Sequence, residues 1–220
     1  MVRQCVLLGG GGHCRVLLDC LLEDPTVLVR GILDRDLALR GQDAFGVKFL
    51  GDDDQLASLI AAGVTHFVVG LGSIGDHEPR ARVFAHGLEA GLEPLAVTHP
   101  SAIASRRIRE GRGVQRLAGS IVNAGAILGD NVVVNSGAIV EHDCILGDHV
   151  HVAPGARLAG NVTVGMGAHI GVGATVRQGI AIGARALLGA GAVVVRDVPD
   201  DAVMVGVPAR PLSRPAQAQG

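Results

Sequence analysis

A six-residue period runs through the second half of the chain and restricts its possible folds more than any other feature. Thirteen aliphatic residues follow one another at intervals of six from Val122 to Val194, and a second apolar residue, usually smaller, comes four positions after each. Neither a helix, with 3.6 residues per turn, nor a strand, with a period of two, produces this spacing. The first positions are Val122, Leu128, Val134, Val140, Leu146, Val152, Leu158, Val164, Ile170, Val176, Ile182, Leu188 and Val194. The second positions are Ala126, Val132, Ala138, Cys144, Val150, Ala156, Val162, Ala168, Ala174, Ile180, Ala186, Ala192 and Val198.

Such a repeat predicts a parallel β-helix in which each hexad supplies one short strand and one corner. Three sides form a coil of eighteen residues, and the coils stack at about 4.8 Å. The first aliphatic residue should fill the interior, the second should pack near the corner, and a Gly that often follows the first should relieve backbone strain at the bend. Aromatic residues are only 2% of the chain and glycines number 33, which suits thin, regular layers.

The first half of the chain has a different pattern, in which short apolar runs alternate with helical periodicity. This alternation predicts a parallel sheet covered by helices, a Rossmann-like α/β domain over residues 1–98. The β-helix is predicted for residues 99–210, and residues 211–220, made mostly of Pro, Ala, Gln and Gly, are predicted to be a disordered tail. The predicted strands are 6–8, 29–33 and 66–69, and the predicted helices are 13–22, 55–62 and 80–90.

Charge and composition exclude several classes of function. The formal net charge is −2, and the short basic run formed by Arg106, Arg107, Arg109 and Arg112 is more typical of a solvated turn than of a nucleic-acid surface. No stretch approaches the ~20 apolar residues of a membrane span. The four cysteines show no metal-ligand spacing, and a reducing cytoplasm is the expected compartment.

Five segments of the chain resemble a known family. They are Gly-Gly-Gly-Gly-His at 9–13, His-Pro-Ser-Ala at 99–102, Asn-Ser-Gly-Ala-Ile-Val-Glu-His-Asp-Cys at 135–144, Ala-Gly-Asn-Val at 159–162 and Val-Gly-Val-Pro-Ala-Arg at 205–210. Together with the hexads, they are similar to the sialic acid O-acetyltransferase and bacillosamine N-acetyltransferase family of hexapeptide-repeat sugar acyltransferases. The resemblance implies a left-handed β-helix, a homotrimer with active sites between neighbouring helices, acetyl-CoA as donor and no metal. It also implies a nucleotide-linked amino sugar or a sialic-acid-type sugar as acceptor.

His142 is the candidate general base, because an imidazole exchanges protons near neutral pH and this residue should point outward from its coil. By resemblance to the family, the neighbouring Asp143 orients the ring, although the family often has Glu there. Gly160 lies eighteen residues further on, one coil up. It could leave room for the thioester, as the family implies, or could simply be a corner glycine.

The resemblance assigns further residues to each substrate. It places His151 at the acetyl-CoA end of the site and Val172 and Ala190 beside the pantetheine arm. A rival interpretation of His149 and His151 as a metal pair lacks a third ligand.

On the acceptor side, the resemblance assigns nucleotide-sugar contacts to six residues. The Gly9–His13 turn follows a strand and opens a helix, so it could bind an anion through its N–H groups or could be only a tight turn. The six assigned residues are Gly11, Gly12, His13, Asp34, Arg35 and Gly72.

The leading hypothesis from the sequence is acetyl-CoA-dependent N-acetylation of a nucleotide-activated amino sugar in surface glycan synthesis. O-acetylation of a sialic-acid-like sugar is a close alternative. A non-catalytic nucleotide-sugar-binding trimer is the contrasting class, since β-helices also serve as scaffolds. The joint presence of His142, Asp143, Gly160 and the N-terminal glycines favours an enzyme.

Overall fold

The computed structural model describes residues 2–73 and 75–212, which form an α/β unit followed by a triangular β-helix. The α/β unit has one six-stranded sheet in the order β3-β4-β2-β1-β5-β6, and all its strand pairs are parallel except β3 with β4. Its elements are β1 (Arg3–Leu8), α1 (Gly12–Leu22), β2 (Val27–Leu33), β3 (Asp43–Ala44), β4 (Val47–Gly51), α2 (Leu56–Ala61), β5 (His66–Val69), α3 (Glu78–Glu89) and β6 (Glu93–Pro94), with 3₁₀ turns at Leu37–Leu39 and Asp53–Gln55.

The predicted order of strands and helices in this unit is confirmed, but the β3–β4 hairpin was not predicted. Val47 and Phe49 face the core while Lys48 between them is exposed, which is the alternation of a half-buried edge strand. The run is only five residues long and follows the left-handed residues Phe45 and Gly46, so its signal is easily taken for a loop.

The β-helix has three sides, and strands on each side pair in parallel with the strand eighteen residues away, except that Leu187 pairs with Val203, sixteen residues on. The predicted eighteen-residue coil is therefore confirmed. Side 1 contains Val97–Thr98, Gln115–Arg116, Val133–Val134, His151–Val152, His169–Ile170, Leu187–Leu188 and Val203–Val205, with Arg210–Pro211 added in antiparallel fashion. Side 2 contains Ile103–Ala104, Ile121–Val122, Ile139–Val140, Arg157–Leu158, Thr175–Val176 and Val193–Val194. Side 3 contains Arg109–Glu110, Ile127–Leu128, Ile145–Leu146, Thr163–Val164 and Ala181–Ile182.

The interior of the prism consists of the two predicted apolar series. Every first-position residue from Val122 to Val194 is buried, and so is every second-position residue from Ala126 to Val198. Below Val122 the apolar series is interrupted: Arg116 occupies an aliphatic slot and forms a 3.0 Å ion pair with Glu110, while Ala104, Ile108 and Val114 still pack into the interior. Burial raises the pKa of Glu110, and Arg116 partly opposes that rise.

The predicted reason for the glycines at the corners, relief of backbone strain at the bend, is wrong. Gly129 and Gly147, which directly follow a first-position residue, have no left-handed φ; a Cβ on either would collide with the backbone of the next coil. The left-handed residue comes two positions later, as at Gly125, Asn131 and Asp143, where φ is about +60° to +80°. Close stacking of the coils, rather than the bend, therefore requires glycine after the first position.

The α/β unit packs against side 1 and against the corner between sides 3 and 1. Phe84 of α3 lies edge-on to His149 of that corner, with ring centroids 5.7 Å apart. His13 at the start of α1 reaches Gln115 of side 1 through a 2.7 Å hydrogen bond. In a triangular prism, the corner between sides 2 and 3 lies opposite side 1, so it faces away from this unit.

Val97–Thr98 already pairs with Gln115–Arg116 as the first strand of side 1. The division of the chain at residue 98 stays a prediction. The predicted tail lies outside the described residues except for Pro211 and Leu212. Among the described residues, no helix combines the length and the apolar character needed to cross a bilayer.

Candidate active site

His142 and Asp143 occupy the corner between sides 2 and 3, in the turn that follows Ile139–Val140. The His142 Nδ1 lies 2.9 Å from the Asp143 Oδ2. An ionised carboxylate can only accept a hydrogen bond, so Nδ1 carries the proton and Nε2 is left as an acceptor. Asp143 has a φ of 59°, a conformation that short Asp tolerates better than most side chains. About half of each side chain is exposed to solvent.

Gly160 lies one coil above His142, and the imidazole covers it. A Cβ at Gly160 would collide with Nε2 and would come within 2.5 Å of Cε1. The backbone conformation of Gly160 is open to any residue, so the corner does not require glycine for its φ. Within residues 2–73 and 75–212, its N–H has no backbone acceptor. Glycine therefore leaves room for the His142 ring and keeps a backbone donor beside Nε2.

Val172 and Ala190 are on a different corner, the one between sides 1 and 2. They lie one coil apart, and the Val172 carbonyl accepts a 2.8 Å hydrogen bond from Gly191. Both are exposed, Val172 by 55%. One chain thus places the candidate donor residues on two separate corners.

His151 faces outward from side 1 and is buried beneath the α/β unit, at 6% exposure. Its Nδ1 lies 2.9 Å from both the hydroxyl and the carbonyl oxygen of Ser73, and its Nε2 lies 3.0 Å from Asn135 Nδ2. Burial lowers the pKa of His151 to about 3, with smaller contributions from His169 and Arg80. His151 is therefore a neutral ring within the junction between the two halves of the chain.

The glycine turn after β1 contains glycines of two kinds. Gly9 has a φ of +99° and Gly10 lies against Phe49, so both are needed for the local fold. Gly11 and Gly12 have ordinary φ values, and a Cβ on either would meet no atom of the described residues within 4 Å. They form the exposed N-terminus of α1, where free N–H groups and the helix dipole favour an anion.

His13 links this turn to side 1. Its Nε2 lies 2.7 Å from Gln115 Oε1, and Gly72 packs beside its Cβ. The pKa of His13 is lowered to about 4, mainly by burial and also by the charge of Arg80, while the Gln115 hydrogen bond partly opposes these two effects. His13 and His151 lie close together, with ring centroids 6.5 Å apart.

A cavity of about 130 Å³ opens at the carboxyl ends of β1, β2 and β5, next to α3. In an open parallel sheet this is where ligands bind. Asp34 and Arg35 both line it, and Asp34 also anchors the glycine turn by accepting a 2.6 Å hydrogen bond from Gly10 N–H. The lining residues are Leu8, Gly9, Leu33, Asp34, Arg35, Asp53, Leu71, Pro79, Arg82 and Val83.

The structure adds residues to the candidate sites that were not found from the sequence. Asp53 and Arg82 line the cavity, and Gln115, Asn135 and Ser73 hold the two buried histidines. A polar residue in the outward strand position of a coil, as at Gln115, was the available signal. Within residues 2–73 and 75–212, no three His, Cys, Asp or Glu side chains are grouped closely enough to hold a metal ion.

Two family models match the chain. One is described as the PglD N-terminal domain and covers residues 4–86; the other is the bacterial transferase hexapeptide (six repeats) and covers residues 125–160. Together with the prism and its corner histidine, they define a hexapeptide-repeat acyltransferase. A comparison with curated proteins found no match.

Solved structures match over nearly the full length. PerB from Caulobacter crescentus, solved with CoA and GDP-perosamine, has 39% identity and a TM-score of 0.89, with coverage of 97% of this chain and 99% of that one. A histidine-to-asparagine mutant of the Caulobacter crescentus perosamine N-acetyltransferase has 38% identity, a TM-score of 0.90 and the same coverage. The acetyltransferase domain of PglB from Neisseria gonorrhoeae, solved with acetyl coenzyme A, has 33% identity and a TM-score of 0.88, with coverage of 96% and 100%.

These matches confirm the predicted fold, an α/β domain followed by a left-handed β-helix. The chain belongs to the sialic acid O-acetyltransferase and bacillosamine N-acetyltransferase family of hexapeptide-repeat sugar acyltransferases, as its motifs indicated.

Proposed function

We propose that this protein transfers an acetyl group from acetyl-CoA to the amine of a nucleotide-activated amino sugar, with His142 as general base. The observation that carries the proposal is the corner arrangement itself: Asp143 holds Nδ1, which leaves Nε2 as a free acceptor beside the Gly160 backbone. Perosamine N-acetyltransferase and PglB, both similar to this chain, were solved with CoA or acetyl-CoA. That a histidine was the residue mutated in the former enzyme adds support.

The chemistry follows from these groups. The acceptor amine attacks the thioester carbonyl carbon, and Nε2 of His142 takes the proton that the nitrogen must lose. We assign to the N–H of Gly160 the hydrogen bond to the developing oxyanion. As the carbon–sulfur bond breaks, the imidazolium returns its proton to the CoA thiolate. Asp143 stabilises the imidazolium and keeps the ring in the required tautomer.

The nucleotide part of the acceptor is assigned to the α/β unit. The apolar walls of the cavity, Leu8, Leu33 and Leu71, suit a flat base, while Asp34 and Arg35 supply polar contacts at its edge. Gly11 and Gly12 leave the N-terminus of α1 open for the diphosphate. GDP-perosamine, the ligand of PerB, belongs to this substrate class.

A homotrimer is part of the proposal, because the base and the acceptor domain of one chain lie on opposite sides of the same prism. The α/β unit covers side 1, whereas His142 is on the opposite corner. Isoleucines flank that corner on both adjoining sides, and Ile145 is 47% exposed. Packing this corner against the corner between sides 1 and 2 of a neighbour would bring His142 and Gly160 to Val172 and Ala190. The outward isoleucines are Ile103, Ile121 and Ile139 on side 2 and Ile127 and Ile145 on side 3.

A thiol-release assay tests the proposal. We expect CoA release from acetyl-CoA with at least one nucleotide-linked amino sugar, at a rate well above that with free sialic acids or with nucleotide sugars that lack an amine. Mass spectrometry should show an acetyl group on nitrogen. Acetylation of a sialic acid hydroxyl instead would establish the O-acetyltransferase alternative, and nucleotide-sugar binding without any CoA release would leave only a binding protein.

A further inference from the structure

Arg80, in the first turn of α3, is fully buried and has no carboxylate partner within residues 2–73 and 75–212. Its Nη1 donates hydrogen bonds to the carbonyl oxygens of Leu71 at 2.6 Å and Val69 at 3.2 Å. Its Nη2 lies 3.5 Å from the carbonyl oxygen of Asn131, at the corner between sides 3 and 1, and its Nε has no hydrogen-bond partner among the described residues. Burial lowers the pKa of Arg80 to about 9, so the group remains a cation at neutral pH.

Burying a cation against carbonyl dipoles alone is costly, and an apolar side chain of similar volume would fill the same space at a lower cost. Phe84, one helical turn away on the same face, already anchors α3 to the β-helix through His149. Docking of the helix therefore does not require a charge at position 80. The particular contribution of Arg80 is its set of hydrogen bonds, which hold the end of β5 and the loop after it.

That loop contacts both histidines of the junction. The Val69 carbonyl also accepts a 2.9 Å hydrogen bond from Gln115, whose other amide atom holds His13. Two residues beyond Leu71, Ser73 binds the ring of His151. Arg80 is thus bonded to a segment that contacts both a candidate acceptor residue, His13, and a candidate donor residue, His151.

We propose that Arg80 is a positioning residue, which fixes residues 69–73 against side 1 and thereby sets the acceptor site relative to the β-helix. This inference rests on the proposed function in assigning His13 and Gly72 to the acceptor. The charge has a second effect. Burial is the main cause of the low pKa values of His13 and His151, and the positive charge of Arg80 lowers both pKa values as well. Removing the charge should therefore raise both pKa values.

The test compares three variants of the full chain. Arg80→Met removes both the charge and the hydrogen bonds, whereas Arg80→Lys keeps the charge but loses the planar guanidinium that donates to two carbonyl oxygens. Arg30→Met, on the exposed face of β2, is the matched control. We expect Arg80→Met to raise the KM for the nucleotide sugar about tenfold, with the KM for acetyl-CoA within about twofold of wild type. Hydrogen exchange over residues 69–73 should accelerate while that of α1 does not. Arg80→Lys should also raise the KM for the nucleotide sugar, but the pKa values of His13 and His151, followed by NMR, should stay as in the wild type. Arg30→Met should leave the KM values, the exchange rates and the two histidine titrations unchanged.

An unchanged acceptor KM together with unchanged exchange in both Arg80 variants would overturn the proposal. So would an equal loss of both KM values with faster exchange throughout the protein, because that result would indicate a purely structural role. If Arg80→Met does not fold, Arg80→Lys decides by the same two measurements. Should the wild type acetylate no sugar, the proposed function fails, whereas the exchange and the histidine titrations still decide whether Arg80 positions the segment.

Discussion

The ring of His142 has one nitrogen bound and one free, and this asymmetry comes from neighbouring residues in its own chain. Asp143 can turn back to Nδ1 because its backbone is left-handed, and Gly160 gives the ring a surface without a side chain. Both contacts follow from the eighteen-residue coil. The coil has a left-handed residue at each corner, and it stacks residues that are eighteen positions apart directly above one another. The geometry of the candidate base therefore depends on both of these positions.

Replacement of His142 by Ala should lower kcat/KM by about 10²–10⁴, the usual contribution of a positioned base. The affinity for acetyl-CoA should be nearly unchanged, since the substitution removes a proton acceptor and not a residue assigned to bind acetyl-CoA. Asp143→Asn should cost less, because it only weakens the orientation of the ring. Steady-state kinetics with the true acceptor, together with calorimetric titration of acetyl-CoA, measures all three quantities. A wild-type rate in His142→Ala would remove this residue from the catalytic role.

Replacement of Gly160 by Ala should reduce kcat and not only the affinity for acetyl-CoA. The new methyl group would occupy space now taken by Nε2 and Cε1 of His142, so the base must move. A misplacement of about 1 Å can cost about 10²-fold in rate. The melting temperature should fall little, since the backbone conformation suits Ala. Gly137→Ala, in an open left-handed turn, is the contrasting variant: it should lose stability but retain the rate per folded molecule. Wild-type kinetics in Gly160→Ala would contradict the placement of the ring.

At the scale of elements, α1, the segment after β5 and side 1 meet around neutral histidines. Their pKa values are lowered mainly by burial, to about 4 for His13 and about 3 for His151. The unfolded chain then binds more protons than the folded one between these values and about 6.5. The stability from these groups is fully present above about pH 6.5 and is lost as the pH falls toward 3–4.

Thermal melts between pH 7.5 and pH 4 should therefore show a steady loss of stability on acidification. The loss from His13 alone should be on the order of 3 kcal/mol, at about 1.4 kcal/mol for each pKa unit. His151→Gln should be less stable than the wild type at pH 7.5 but should have a shallower pH dependence. His99→Gln, which changes a partly buried histidine whose ring bonds to Ser101 within its own turn, should leave the slope unchanged. Equal slopes in all three proteins would disprove the contribution of the buried ring.

At the scale of the whole molecule, the proposed acceptor unit covers side 1, whereas the proposed base lies on the opposite corner of the same prism. An arrangement of three chains would join them, with the isoleucines around the His142 corner as its apolar contact. Ile139→Lys should therefore produce monomers and abolish activity while leaving the fold intact, because this side chain points away from the core. Leu28→Lys, on the exposed face of β2, is the control. Analytical ultracentrifugation measures the oligomeric state of each protein. A wild-type protein that is active as a monomer would refute an active site formed between neighbouring chains.

Much of this arrangement was predictable because hexads and glycine motifs are local signals. The coil, the α/β order, His142 beside Asp143 and the stacking of Gly160 all follow from spacing along the chain. The β3–β4 hairpin was missed because its strand is short, and Gln115, Asn135 and Arg80 were missed because their partners lie far away in sequence. Arg80 is the first residue of the predicted helix 80–90, and only its burial in the structure distinguishes it from a surface arginine.

The sequence by itself therefore determined the repeat, the interior of the prism and the residues of the corner, since each depends on a fixed interval of six or eighteen residues. The tertiary structure alone decided which side the α/β unit covers, and hence that His151 and His13 are buried neutral rings while His142 is exposed. The physical reason is that docking depends on the complementarity of two surfaces whose residues, such as Phe84 and His149 or His13 and Gln115, have no regular spacing along the chain.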